Sequence, residues 1–189
     1  MTTFTVYTSS SDAIDPRYPA AARAFGRRLG ERGDALVYGG TDVGVMGVLA
    51  AAVREAGGHV TGVLPRRMYE RGIGDEACDE LLVTDGMSER KQQMIARADA
   101  FVALPGGFGT LEELLEVLTL KQLGYHDRPI VLLNLDGFYD PLLAFFEELF
   151  ATSFAAEAYR ALYAVAAAVD EVFAHVDGYR PGAVPEKWA

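Results

Sequence analysis

From one end of this 189-residue chain to the other, short β-favouring runs alternate with segments of helical periodicity. That order restricts the fold more than any other feature. A strand that is followed by a helix and then by another strand returns to its sheet in parallel, with the helix laid across one face. Residues 4–8 form a first β-favouring run, and Tyr18, Ala21, Ala22, Phe25 and Leu29 then recur at the spacing of an amphipathic helix. Residues 35–38 form a second apolar run, and Val45, Val48, Leu49, Ala52 and Val53 a second helical stripe that stops at Gly57-Gly58. Further strands are expected at residues 59–64, 81–83, 100–104 and 130–134, with one more near 162–165 in an alanine-rich stretch. Helices are expected at 88–98, at 110–123, from Asp140-Pro141 onward with Asp140 as the cap and proline in first position, and at 169–176. Residues 66–80 read as a surface loop with an irregular turn. The expected fold is an α/β, doubly wound, mostly parallel sheet with helices on both faces. It occupies residues 1–178 as a single domain, with residues 179–189 as a C-terminal tail.

Composition narrows the partners. Twenty-seven acidic against 17 basic residues give a formal charge of −10, which argues against a nucleic-acid partner. Cys78 is the only cysteine, so neither an internal disulfide nor a cysteine metal site is expected. His59, His126 and His175 are scattered, and no metal or cofactor is expected. No run reaches the length of a membrane span, and no signal peptide is expected at the start. The cytoplasm is therefore the expected compartment.

In a sheet of this kind, ligands bind beyond the carboxyl ends of the strands. Two glycine loops fall there. Gly39-Gly40-Thr41-Asp42-Val43-Gly44-Val45-Met46-Gly47 follows the second strand, and Pro105-Gly106-Gly107-Phe108-Gly109-Thr110 precedes the longest helix. Each brings unobstructed amides to a helix N-terminus, where an anion is favoured. Ser9, Ser10 and Ser11 add hydroxyls at the end of the first strand. No Gly-Lys-Ser/Thr follows either loop, and the first lacks Gly-x-Gly-x-x-Gly spacing, so neither is a Walker A or dinucleotide loop. Glycines also serve tight turns, but two such loops beside a serine cluster favour a phosphate ligand. Arg90 and Lys91 open a helix near the same rim, and a guanidinium suits phosphate or sugar hydroxyls. Glu113 carries two compatible readings. Thr110-Leu111-Glu112-Glu113 spells a capping box, and a carboxylate one turn into a phosphate-binding helix also lies beside a bound sugar.

Taken together, these residues resemble the LOG (lonely guy) family. Residues 105–113 match its P-G-G-x-G-T-x-x-E signature, residues 87–91 its M-x-x-R-K element, and residues 38–47 resemble its Y-G-G-G-x-x-G-L-M-G loop. The resemblance runs from about residue 6 to 177. It implies a Rossmann-like fold, a homodimer with higher assemblies in some members, and hydrolysis of cytokinin riboside 5′-monophosphates to a free base and ribose 5-phosphate. It also implies that Arg90 and Glu113 are the catalytic pair. Gly106, Gly107, Gly109 and Thr110 would bind phosphate, with Lys91 and Thr119 nearby. Ser10, Gly39, Gly40 and Met87 complete the expected substrate-binding set.

Many members carry a lysine decarboxylase label. The three lysines here, Lys91, Lys121 and Lys187, stand in two expected helices and the tail, and none suggests a Schiff base. Thr8-Ser9-Ser10-Ser11 replaces the usual C-G-S-S, and Thr41 replaces the third glycine of the first loop. Val45 stands for leucine, Ser88 for histidine, and residues 69–76 depart from the P-R-E-like run, with Glu70 the candidate acidic contact. These departures leave Arg90 and Glu113 unchanged and bear on base recognition. The rival expectation is a nucleotide-binding or carrier protein of the same fold without turnover.

Overall fold

The computed structural model describes residues 1–182, and the expected tail lies outside the described residues from 183 onward. Seven strands, β1 (Thr3–Tyr7), β2 (Ala35–Tyr38), β3 (His59–Pro65), β4 (Glu80–Thr84), β5 (Ala100–Ala103), β6 (Ile130–Leu133) and β7 (Ala164–Ala166), form one sheet in the order β4-β3-β2-β1-β5-β6-β7. Every neighbouring pair runs parallel. The helices are α1 (Arg17–Glu31), α2 (Gly44–Glu55), α3 (Arg66–Tyr69), α4 (Met87–Arg97), α5 (Phe108–Gln122), α6 (Asp140–Ala151) and α7 (Val169–Gly178). This is the Rossmann-like α/β architecture. Among the described residues no helix is long and apolar enough to cross a membrane.

The central strands are buried on both faces, which is why they read as unbroken apolar runs. Phe4, Leu36, Val102 and Val131 face one core with Phe25, Leu49 and Phe173 of α1, α2 and α7. Phe101, Ile130 and Leu132 face the other with Met94, Leu114 and Phe146 of α4, α5 and α6. The order of strand addition reverses between β1 and β5, because β1 to β4 step outward one way and β5 to β7 the other. At such a switch point the connecting loops part and leave a crevice.

Three local expectations shift. Asp140 is the first residue of α6, not its cap. Tyr139 holds the cap position, and Asp140 instead accepts from Asn134 Nδ2 at 2.7 Å. The last strand begins at Ala164, because Glu157–Leu162 coils into a 3-10 segment that buries Tyr159 and Leu162. Residues 66–80 begin with the single turn of α3, and Gly74 then makes an isolated antiparallel bridge to Thr41.

Candidate active site

A cleft of about 270 Å³ opens at the carboxyl edge of the sheet, beside the switch point. Its lining comes from five strand ends. Gly107, Phe108, Gly109 and Thr110 follow β5, Ser9 and Ser10 follow β1, and Gly39 and Thr41 follow β2, while Met68 and Met87 stand beyond β3 and β4.

Among the helices that start at this edge, α2, α4 and α5 supply lining to the cleft, and the first two have their positive ends answered within the protein. Gly44 N–H in α2 donates to Asp12 at 3.0 Å. In the first turn of α4, Glu89 accepts from Asp85 N–H at 2.8 Å. In α5 no side chain caps the N-terminus, and no first-turn residue is acidic. The amides there are turned to an open cleft, the arrangement that receives an anion. A Cβ at Gly106 would overlap the side chain of Thr110, lying 2.7 Å from its Cβ, whereas one at Gly107 or Gly109 would meet nothing within 4 Å. Gly106 thus permits the turn, and Gly107 and Gly109 leave the approach to the amides clear.

The α5 helix begins two residues before Thr110, so Glu113 stands in its second turn and makes no capping bond to Thr110. It pairs instead with Arg90. Arg90 Nη1 donates to Glu113 Oε1, and Nε donates to the carbonyl of Val63 at 3.0 Å. Both side chains are about nine-tenths buried while lining the cleft. Burial pushes the Glu113 carboxyl above the ordinary carboxylate range, with Arg90 opposing that rise. A guanidinium fixed at two points therefore holds a carboxyl whose proton affinity is raised, which suits work on a developing charge.

Ser10, Gly39, Met87, Arg90, Gly107, Gly109, Thr110 and Glu113 all line the cleft. Gly40 stands behind the wall, with φ +75° and its carbonyl accepting from Asp75 N–H at 3.0 Å. Gly106 lines a neighbouring pocket with Ser9 and Tyr18. Lys91 turns away and joins α4 to α5 through Glu112 and through Glu116 at 3.2 Å. Thr119 lies outside the cleft, on an apolar face with Leu115, Phe146 and Tyr163, and donates to Leu115 O at 2.7 Å. Glu70 is exposed and does not line the cleft.

Sequence reasoning did not single out Thr8, Met46, Met68, Phe108 or the Val63 carbonyl as contributors. Thr41 stood out only as a departure from a glycine loop. Its hydroxyl is buried without a partner, a condition that ordinarily costs about 1–3 kcal/mol.

A parallel sheet with an open helix end and a buried guanidinium–carboxylate pair at its switch point defines a Rossmann-like protein with an anion-receptive cleft. The family described as "possible lysine decarboxylase" matches residues 46–176. The chain is 45% identical over 176 residues to the cytokinin riboside 5′-monophosphate phosphoribohydrolase LOG of Oryza sativa subsp. japonica, covering 93% of this chain and 73% of that protein. It is 43% identical over 176 residues to a phosphoribohydrolase of the same description from Arabidopsis thaliana, covering 93% and 81%. Among solved structures it is similar to the molybdenum cofactor carrier protein of Chlamydomonas reinhardtii, with a TM-score of 0.70, 26% identity and coverage of 93% and 96%. The chain belongs to the LOG family.

Proposed function

We propose that this protein hydrolyses the N-glycosidic bond of adenosine 5′-monophosphates, including N6-substituted ones, to give the free base and ribose 5-phosphate. The observation that carries the proposal is the buried Arg90–Glu113 pair, set against the uncapped start of α5 in one cleft.

The phosphate takes the amides of α5 with the hydroxyls of Ser10 and Thr110. The sugar then lies over Glu113, and the base extends toward Met46, Met68 and Met87. Cleavage builds positive charge on the ribose, as in glycoside hydrolysis. Glu113 faces that charge and positions water, while Arg90 holds Glu113 in place. Water oxygen bonds to C1′, the C1′–N9 bond breaks with its electron pair leaving on N9, and a proton of the water ends on the base. Binding energy from the distant phosphate orients the sugar for this step.

A decarboxylase reading finds little support in the lysines. Lys91 is held by Glu112 and Glu116, Lys121 lies over the Tyr179 ring, and neither lines the cleft.

The protein acts as a homodimer through the apolar face between α5 and α6, where Leu115 is 44% exposed. Thr119 belongs to that face, so any role at a nucleotide would be played toward a neighbouring copy. Size-exclusion chromatography with light scattering reads this directly, and Leu115→Glu should give a monomer.

The activity test is incubation with AMP and with N6-isopentenyl-AMP, followed by chromatography of the base and assay of ribose 5-phosphate. Equal amounts of both products are expected. Thermal stabilisation by AMP without base release would instead establish a carrier of the same fold.

A further inference from the structure

One polar atom in the cleft wall is left unanswered by the protein. Thr41 is 1% exposed, and its Oγ1 is the one buried side-chain polar atom among the described residues without a hydrogen-bond partner. Three other buried threonines do find partners. Thr5 Oγ1 donates to Met94 O at 2.9 Å, Thr8 Oγ1 to Pro105 O at 3.2 Å, and Thr84 Oγ1 to Gly86 O at 3.2 Å. Buried hydroxyls find partners as a rule, and an exception calls for a cause.

Looseness of the chain is not that cause. Thr41 bridges Gly74, and the preceding carbonyl, of Gly40, accepts from Asp75 N–H at 3.0 Å. Asp75 is itself fixed by Tyr38 Oη at 2.8 Å and by Arg54 Nη1 at 2.7 Å. The backbone that carries the hydroxyl is therefore pinned from behind, and Thr41 is one of the residues that line the cleft.

Strand order gives the part of the ligand it meets. The open end of α5 and the serines belong to β5 and β1, and the methionines Met68 and Met87 follow β3 and β4. Thr41 follows β2, on the methionine side of the anion-receptive end. We infer that Thr41 is a specificity-determining residue whose hydroxyl is completed by a hydrogen bond to the purine base of the bound nucleotide. This rests on the nucleoside monophosphate reading of the cleft. A hydroxyl that finds its partner only in the ligand discriminates against ligands unable to supply one.

The test compares wild type with Thr41→Val and Thr41→Ser for AMP hydrolysis, and for stabilisation by AMP and by ribose 5-phosphate in thermal shift titrations. Thr41→Val should raise KM for AMP by roughly tenfold with kcat little changed. Ribose 5-phosphate should bind it as it binds wild type, and the melting temperature should not fall, because no internal hydrogen bond is lost. Thr41→Ser should stay within roughly twofold of wild type. An unchanged KM in Thr41→Val, or equal weakening of AMP and ribose 5-phosphate, would overturn the assignment. Should Thr41→Val not fold, Thr41→Ala is read by the same comparison. If wild type releases no base, the hydrolase reading fails on its own, and the two titrations still decide the role of Thr41.

Discussion

The tip of Arg90 occupies the space that a side chain at position 39 would need. A Cβ on Gly39 would lie 2.6 Å from Arg90 Nη2 and 2.6 Å from Met46 Sδ. The glycine at the end of β2 is thus part of the seat of the guanidinium, although it comes from a different strand end and from the other glycine loop. Both obstructing atoms are the ends of flexible side chains, but Arg90 is not free to swing. It is tied to the Val63 carbonyl and to Glu113.

Gly39→Ala should therefore lower base release by roughly ten- to a hundredfold, since small misplacements of a positioning group carry penalties of that order. The melting temperature should fall as well, because the added Cβ presses on a guanidinium held by Val63 and Glu113. Steady-state kinetics alongside a thermal melt checks this. A variant with kcat within about twofold of wild type would show that the placement of Arg90 is not critical.

Glu113→Gln keeps the shape of the side chain and removes its charge. Base release should drop by about 10²–10⁴-fold, the usual span for a group engaged in acid–base or charge-stabilising work. AMP should still stabilise the variant thermally. Arg90→Met leaves Glu113 buried without its counter-charge. A broken buried pair costs about 3–5 kcal/mol, and the Glu113 carboxyl, already above its ordinary range, answers by holding its proton to still higher pH. A raised folded pKa on a carboxyl means stability lost as pH rises. Urea denaturation should accordingly show a larger deficit at pH 8 than at pH 5.

Two adjacent glycines should respond oppositely to the same change. Gly106→Ala drives a Cβ into Thr110 and disturbs the start of α5, so both stability and activity should fall, the former by about 1–3 kcal/mol. Gly107→Ala meets open space, so the fold should be unaffected while KM for the nucleotide rises. A melting curve and a KM for each variant separate the two roles.

His126 should make the fold acid-sensitive in one window. Its Nε2 lies 3.0 Å from Val117 O, and its Nδ1 accepts from Arg128 N–H at 3.2 Å. Burial pushes its pKa down from 6.5 to about 4. The unfolded chain therefore takes up the proton first as pH falls. Stability contributed by the neutral ring is present above pH 6.5, declines from there to about 4, and changes no further below. A loss of about 1–3 kcal/mol is expected, the ring being only partly shielded from solvent. Denaturant midpoints from pH 7 to 4 should slope for wild type and flatten for His126→Gln.

Much of the fold was legible because strands buried on both faces leave continuous apolar runs, as at Ile130–Leu133 and Ala100–Ala103. The edge was harder to read. Ala164–Ala166 is three residues long and built of alanine and valine, which carry no period over so short a span. In the cleft, the glycine loop before α5 was legible from its composition. The Arg90–Glu113 contact was not, since nothing in a separation of 23 residues announces a contact, and only a family resemblance pointed to it. The capping-box spacing of Thr110 and Glu113 was present in letters but void in space, because α5 starts at Phe108. Val63 contributes a main-chain oxygen, and no side-chain pattern can flag that.

The tie from Asp75 to the carbonyl of Gly40 and to Tyr38 and Arg54 divides the cleft mechanically. One wall hangs from the segment between β3 and β4, and the opposite wall rests on the start of α5. On the proposed reading, exchanges in the first segment would reshape the chamber for a different heterocycle while the anion-receptive start of α5 stays as it is. A lineage carrying this scaffold would then change which leaving group it accepts without rebuilding its anchor.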